Sequence, residues 1–196
     1  MKYVFLFLIY FSSFQTKAQD SLFNYILADV TEAQDVLIRF ELKSGSICSG
    51  LIIERSSDSV EFYTVQQISG VCGNSNVSVA YQYLDENPVL NSFNYYRIVP
   101  GLGTPTKAVK VFVADIRTNG YYLYPNPFEN QLKIYFKNPN NEAAHLYLIN
   151  SSGQTLIIDQ TNTDLWEPEL QNMPAGLYFF SIEIKNQTIS GRFIKK

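Results

Sequence analysis

The residues of this 196-residue chain that could do chemistry are few and lie far apart. The chain holds two cysteines, Cys48 and Cys72, and a single histidine, His145. Nucleophilic catalysis of the Ser-His-Asp or Cys-His kind needs a histidine beside its nucleophile, but His145 begins a strand-like stretch and no Gly-x-Ser-x-Gly motif occurs. Zinc shells need three or four His and Cys ligands close together. We therefore predict no catalytic, cofactor-binding or metal site, and no enzyme.

Glu54 and Glu61 are the carboxylates best placed to work as a pair. They flank the turn-forming residues 56–59, so a hairpin there brings them face to face, as glycoside hydrolysis requires. Solvated charges are normal on a hairpin tip, and a narrow sandwich offers no evident cleft. We interpret the two residues as surface charges, with a secreted hydrolase of unrecognised site as the alternative.

The two cysteines lie in the first half of the chain, which the leader described below sends to an oxidising compartment. A disulfide between Cys48 and Cys72 is our first interpretation. It closes a loop of about 25 residues and stabilises the fold by roughly 3 kcal/mol in the chain-entropy model. A redox pair or a metal site is the competing interpretation.

Four tyrosines in two predicted strands suggest a binding surface. Aromatic strips commonly bind glycans or proteins, whereas tyrosines in sandwich strands more often pack in the core or at an edge. The residues of the candidate strip are Tyr81, Tyr83, Tyr95 and Tyr96.

Residues 1–18 have the pattern of a secretory signal peptide. Lys2 precedes about nine apolar residues, and a polar tail ends at Ala18. A bilayer span needs about twenty apolar residues, so neither this run nor any later one predicts a transmembrane helix. Removing Lys2 and Lys17 changes the formal charge from -3 to -5. This acidic balance disfavours a nucleic-acid partner.

Composition and periodicity predict an all-β fold of two small antiparallel sandwiches. Tyr and Phe, at fourteen each, accompany many β-branched residues, which suit half-buried pleated surfaces. After a weak helical pattern at residues 21–34, short strands alternate with turns. The strands predicted for residues 19–118 are Val36–Leu42 and residues 51–55, 60–65, 77–83, 93–99 and 107–113.

Three stretches of this first module, taken in order, resemble fibronectin type III-like modules that precede sorting domains in secreted Bacteroidetes proteins. They are residues 53–58 with Phe62, residues 83–88, and residues 94–97. The resemblance covers most of residues 45–113. It implies a sandwich that binds or spaces rather than catalyses.

Residues 119–196 form a second predicted module. It opens on Tyr124-Pro125-Asn126-Pro127, where each proline restricts the residue before it to extended geometry. Residues 131–136 alternate strictly, residues 150–154 form a turn closed by Gly153, and residues 173–176 fit a type I turn. Residues 186–187 are predicted to turn into a final strand.

These motifs together resemble the type A C-terminal sorting domain of the Bacteroidetes type IX secretion system. The resemblance covers residues 121–196. The residues that carry it are Tyr124, Pro125, Asn126, Pro127, Gly153, Pro174, Gly176, Tyr178, Lys195 and Lys196.

The resemblance implies a secreted or cell-surface protein. Its implied partners are an outer-membrane translocon that reads the domain and a sortase-like protease that removes it, with surface lipopolysaccharide, a glycan or a protein as further ligands. The alternatives are the hydrolase named above and a structural component of a surface layer or gliding apparatus.

Overall fold

A computed structural model describes residues 22–45, 50–101 and 103–196. The described residues form fourteen strands and no α-helix. Their bounds are β1 Phe23–Val30, β2 Val36–Leu42, β3 Leu51–Ser56, β4 Tyr63–Ile68, β5 Val79–Asp85, β6 Ser92–Pro100, β7 Val109–Val113, β8 Tyr121–Tyr124, β9 Lys133–Phe136, β10 Ala144–Asn150, β11 Thr155–Thr161, β12 Leu165–Trp166, β13 Gly176–Ile184 and β14 Gln187–Lys195. The predicted fold class, all-β with two antiparallel sandwiches, is confirmed.

The first sandwich packs a three-stranded sheet, β1-β2-β5, against a four-stranded sheet, β4-β3-β6-β7. Period-2 alternation produces this packing: along β2, Val36, Ile38, Phe40 and Leu42 are buried and the residues between them are not. Strand β6 alternates in the same way and supplies the opposite half of the core.

A buried polar network sits at one edge of the first core. Arg55 donates to the Asp85 carboxylate over 2.5 Å, and its Nε donates to the Tyr63 hydroxyl over 2.6 Å. Tyr96, fully buried, donates its hydroxyl to Asp85 over 2.8 Å, and burial together with this carboxylate raises the pKa of Tyr96 far above its ordinary value. The network leaves the buried polar groups of Arg55, Asp85 and Tyr96 with hydrogen-bond partners.

The second sandwich packs the sheet β12-β9-β8 against β11-β10-β13-β14. Its core gathers fourteen buried residues from both sheets and from the loops between strands, among them Leu132, Ile134, Phe180 and Phe193. The ring of Tyr121, in one sheet, contacts the ring of Phe180, in the other, edge-to-face with centroids 5.0 Å apart. Both rings lie directly against Gly191.

Aromatic rings join the two sandwiches. Phe112 of β7 stacks on Tyr135 of β9 with ring centroids 4.6 Å apart, and Tyr122 lies 6.2 Å from Phe112. Burial raises the pKa of Tyr135, as expected for a phenol packed at a junction. Between the modules, the Gly120 amide donates to Ile116 O over 2.9 Å, so the link is a hydrogen-bonded turn.

Three local predictions are wrong. Residues 23–30, within the stretch with a weak helical pattern, form strand β1, because pairing with β2 decides their conformation. The strand predicted at residues 60–65 lies at Tyr63–Ile68, because Asp58 accepts the amides of Val60 and Glu61 and lengthens the turn. The last hairpin turns at residues 185–186 rather than 186–187, with Lys185 at φ 47°.

Gly191 yields a prediction about packing. A Cβ at this position would lie 2.6 Å from the rings of Phe180 and Tyr121, whereas a Cβ at Gly176 meets only Tyr178 Cε2 at 3.8 Å. We expect Gly191→Ala to lower the free energy of unfolding by about 1–3 kcal/mol through overpacking. The matched change Gly176→Ala, in the paired strand, should cost less than half as much. Urea unfolding of the full chain measures both, and equal effects would contradict the packing described here.

Candidate functional site

The segment after the second proline pairs with the end of the last strand. The Phe128 amide donates to Ile194 O over 3.0 Å, and the Lys196 amide donates to Phe128 O over 2.9 Å. Asn126 extends this pairing, since its Oδ1 accepts the Ile194 amide at 3.0 Å. Residues 66 to 68 positions apart in sequence are thereby joined in a short parallel pairing.

Three aromatic rings fill the space beneath this pairing. Phe128 contacts Phe193 edge-to-face at 5.5 Å, and Phe193 stacks on Tyr178 at 5.8 Å. The Tyr178 hydroxyl donates to Pro174 O over 2.7 Å and so fixes the turn that precedes β13. A tyrosine holding a neighbouring carbonyl in this way gives the buried ring a satisfied polar end.

The two lysines at the end of β14 have different environments. Lys195 follows the inward alternation of Gly191 and Phe193, is 8% exposed, and donates its Nζ to Glu129 O over 2.8 Å. Its ammonium group also lies 5.4 Å from the centre of the Phe128 ring, within cation–π range. Lys196 is exposed. The buried lysine therefore ties the segment after Pro127 to β14, whereas the exposed one presents its charge to solvent.

The central turn lies at the same end of the sheet. Asn150 pairs with Tyr178, and Tyr178 pairs with Phe193, across three adjacent strands. Asn150 Oδ1 accepts the amides of Ser152 and Gln154, and Gly153 takes φ 83° to close the loop. We call the residues that meet here the motif pole: they are Asn126, Phe128, the turn at residues 150–154, Pro174, Tyr178, Phe193, Ile194, Lys195 and Lys196.

Residues 122–196, which include every residue of the motif pole, match the family model described as "Secretion system C-terminal sorting domain". The second module is a C-terminal sorting domain. The presence of this domain supports export through the type IX secretion system. The searched curated proteins include no match to this sequence.

Solved structures resemble the chain at low identity. One is PorZ, described as an essential surface component of the type-IX secretion system of Porphyromonas gingivalis, with 13% identity, TM-score 0.36, and coverage of 86% of this chain and 30% of that one. Another is the BSP domain of a biofilm associated protein, with 12% identity, TM-score 0.33, and coverage of 89% and 30%. Chicken CNTN1 FN1-FN3 domains give 10% identity, TM-score 0.29, and coverage of 87% and 64%. This chain thus spans less than two thirds of each.

The structure places the remaining predicted signal residues around the sorting domain's pole. The Tyr124–Pro125 and Asn126–Pro127 peptide bonds are both cis, and Tyr124 is 60% exposed. The type I turn predicted at residues 173–176 is displaced, since the hydrogen bond closes from the Met173 amide to Leu170 O over 3.2 Å. Gly176 instead begins β13 and pairs with Lys195.

The predicted tyrosine strip is not a single surface. Tyr96 is fully buried in the first core, and Tyr95, its neighbour in β6, points to the other face of the sheet because side chains alternate along a strand. Tyr81 stacks on Phe40 at 5.7 Å, and Tyr83 donates its hydroxyl to Val65 O over 3.3 Å. The hypothesis of a strip made by these four residues is therefore wrong.

The other chemical candidates are dispersed. Glu54 is paired with Arg97 at 2.6 Å, while Glu61 stays in the loop before β4, so the two carboxylates do not face each other. His145 is exposed on β10. Among the described residues, no group of three or more His, Cys, Asp or Glu side chains has a metal-binding arrangement. Within those same ranges, no helix is long and apolar enough to span a bilayer. Cys48 lies outside the described residues.

Sequence reasoning missed Phe128 as the organising residue of the pole. The sequence did contain one indication that Phe128 is buried, because a large aromatic residue stands directly after the second proline. In the structure Phe128 is 1% exposed. Its partners gave none, because Ile194 and Lys196 are distant in sequence.

The Asn126 contact predicts a local change in backbone protection. Replacing Asn126 with alanine removes the acceptor of the Ile194 amide, a hydrogen bond of about 0.5–1.5 kcal/mol. We expect amide exchange at Ile194 to accelerate by roughly threefold to tenfold. Asn140→Ala, in an exposed loop of the same domain, should leave it unchanged. Unaltered exchange in the Asn126 variant would contradict the contact.

Proposed function

We propose that the protein is exported through the type IX secretion system as a secreted or cell-surface protein, and that the motif pole is the part of the sorting domain that the translocon reads. The observation that carries the proposal is the convergence of motifs from four separate stretches at one end of one sandwich. Residues scattered over 70 positions become neighbours only in the folded domain, so we infer that the translocon recognises a folded surface rather than a linear peptide.

The first module fits a non-catalytic role as a binding or spacing unit. The buried Arg55–Asp85–Tyr96 network and the Glu54–Arg97 pair engage the charged groups nearest its core in structural contacts. A secreted hydrolase and a component of a surface or gliding apparatus remain the alternatives. A hydrolase screen of the secreted chain, and its recovery in outer-membrane complexes, distinguish the three roles.

The boundary between cargo and signal is proposed at residues 118–119. The backbone on each side of this boundary is hydrogen-bonded to its own module. Before it, the Asp115 amide donates to Asn91 Oδ1 over 2.8 Å; after it, Gly120 O accepts the Lys137 amide at 3.0 Å. A sortase-like protease acting here would separate the two cores. Attachment of the freed module to lipopolysaccharide, or its release, would follow. The proposed signal peptide, residues 1–18, lies outside the described residues.

A disulfide between Cys48 and Cys72 is supported by the residues around both cysteines. The Gly45 amide donates to Asn74 O over 2.8 Å, and a Cβ on Gly50 would lie 3.7 Å from the Gly70 amide nitrogen. Residues on either side of Cys48 in the sequence therefore lie close to residues on either side of Cys72: Gly45 is hydrogen-bonded to Asn74, and Gly50 lies beside Gly70. The Tyr81 hydroxyl also holds Cys72 O over 2.7 Å.

The route of export is tested with a reporter. A signal peptide and reporter followed by residues 119–196 should reach the culture medium or cell surface in a type IX-competent host, and should stay in the periplasm of a translocon-deficient strain. A reporter lacking residues 119–196 is the control. A periplasmic reporter in the competent host would refute the assignment.

The disulfide is tested by intact mass. Exported protein should be lighter by two hydrogen atoms before reduction than after it. Cys48→Ser and Cys72→Ser should each abolish the difference and lower the free energy of unfolding by roughly 3 kcal/mol. Identical masses would exclude the bridge.

A further inference from the structure

The outer face of the sheet β11-β10-β13-β14 is apolar at the end nearest the motif pole. In a sandwich the solvent side of an antiparallel sheet is normally polar. Here Ile158 is 72% exposed, Ile194 46%, Leu177 39% and Phe179 37%. Every one of these side chains points away from the core, since the residues that alternate with them, such as Tyr178, Phe180 and Phe193, are buried.

The strand registers make these side chains contiguous. Leu177 pairs with Ile194, Phe179 pairs with Ile149, and Tyr147 pairs with Ile158. Together these six residues form a diagonal band across all four strands, which we call the outer apolar band. Bands of this kind on otherwise polar surfaces mark interaction sites.

The charge beside the band indicates what covers it. Arg192 pairs with Phe179 on the same face and is exposed, and none of the ion pairs among the described residues includes it. A second copy of this chain packed band to band would bring two Arg192 guanidinium groups into one interface, and no band residue is a carboxylate. A different protein, apolar and carrying an acidic group opposite Arg192, matches both features.

We infer that the outer apolar band is a docking surface for a component of the secretion machinery, a protein with an apolar patch and a carboxylate that pairs with Arg192. The inference rests on the proposed function and deepens it. The band is continuous with the motif pole through Ile194, whose backbone pairs with Phe128 and Asn126 while its side chain joins the band. One partner can therefore contact the pole and the band together.

The test is export of the full chain in a type IX-competent host and in its translocon-deficient counterpart. Ile158→Thr and Phe179→Thr each place a residue of high β propensity on the strand and remove an apolar contact, and each should lower exported protein by about tenfold. Arg192→Glu should do the same, with Arg192→Lys restoring most of the export. Val60→Thr is the matched control, because Val60 is 78% exposed in the first module. Thermal unfolding of each purified variant confirms the fold.

The outcomes separate the two claims. Wild-type protein that is not exported, or that is exported equally without the translocon, overturns the proposed function and the docking surface with it. Wild-type export that depends on the translocon, with the Ile158, Phe179 and Arg192 variants all exported like wild type, overturns the docking surface alone. A purified wild-type dimer that Ile158→Thr dissociates would replace the external partner by a second copy. Because Ile158 is the most exposed of the six, a folding defect in the Phe179 variant leaves the Ile158 result decisive.

Discussion

The pairing of Phe128 with the end of β14 is the interaction on which the sorting domain depends. Two backbone hydrogen bonds, at 3.0 and 2.9 Å, and the Asn126 side chain join segments that would otherwise be a loop and a strand end. The Phe128 ring then packs against Phe193 at the edge of the core. The Lys195 ammonium group lies over the Phe128 ring and donates to Glu129 O. Breaking this pairing would expose core rings and scatter the motifs, so we regard fold and signal here as one structure.

The two modules have separate hydrophobic cores and contact each other through aromatic rings. Within each module, long antiparallel pairings and a continuous core favour cooperative unfolding. Between them, the contacts include a few rings around Phe112 and Tyr135 and a single hydrogen-bonded turn. The two sandwiches therefore have separate cores that meet at these rings. Under the proposed function, separate cores suit a cargo module that travels with its signal and is later freed from it.

Local sequence patterns were sufficient for much of the fold. Strict alternation identified β2 and β9, and the Asn-Ser-Ser-Gly turn identified the hairpin between β10 and β11. The tyrosine strip failed because Tyr95 and Tyr96 are adjacent in one strand, and period-2 geometry places adjacent residues on opposite faces. Strand β1 was not among the predicted strands, because its conformation comes from pairing with β2 rather than from its own sequence pattern. The motif pole was visible only as separate motifs, since the register that joins Phe128 to Ile194 is a long-range property of the folded chain.

Export by a minimally shortened signal tests the central claim most directly. A reporter fused to residues 119–194 lacks the Lys196 amide that pairs with Phe128 O and the Lys195 ammonium that binds Glu129 O, yet keeps nearly all of the apolar core. If the assembled pole is the signal, this fusion stays in the periplasm of a type IX-competent host, whereas the fusion to residues 119–196 is exported. Equal export of the two fusions would contradict the account.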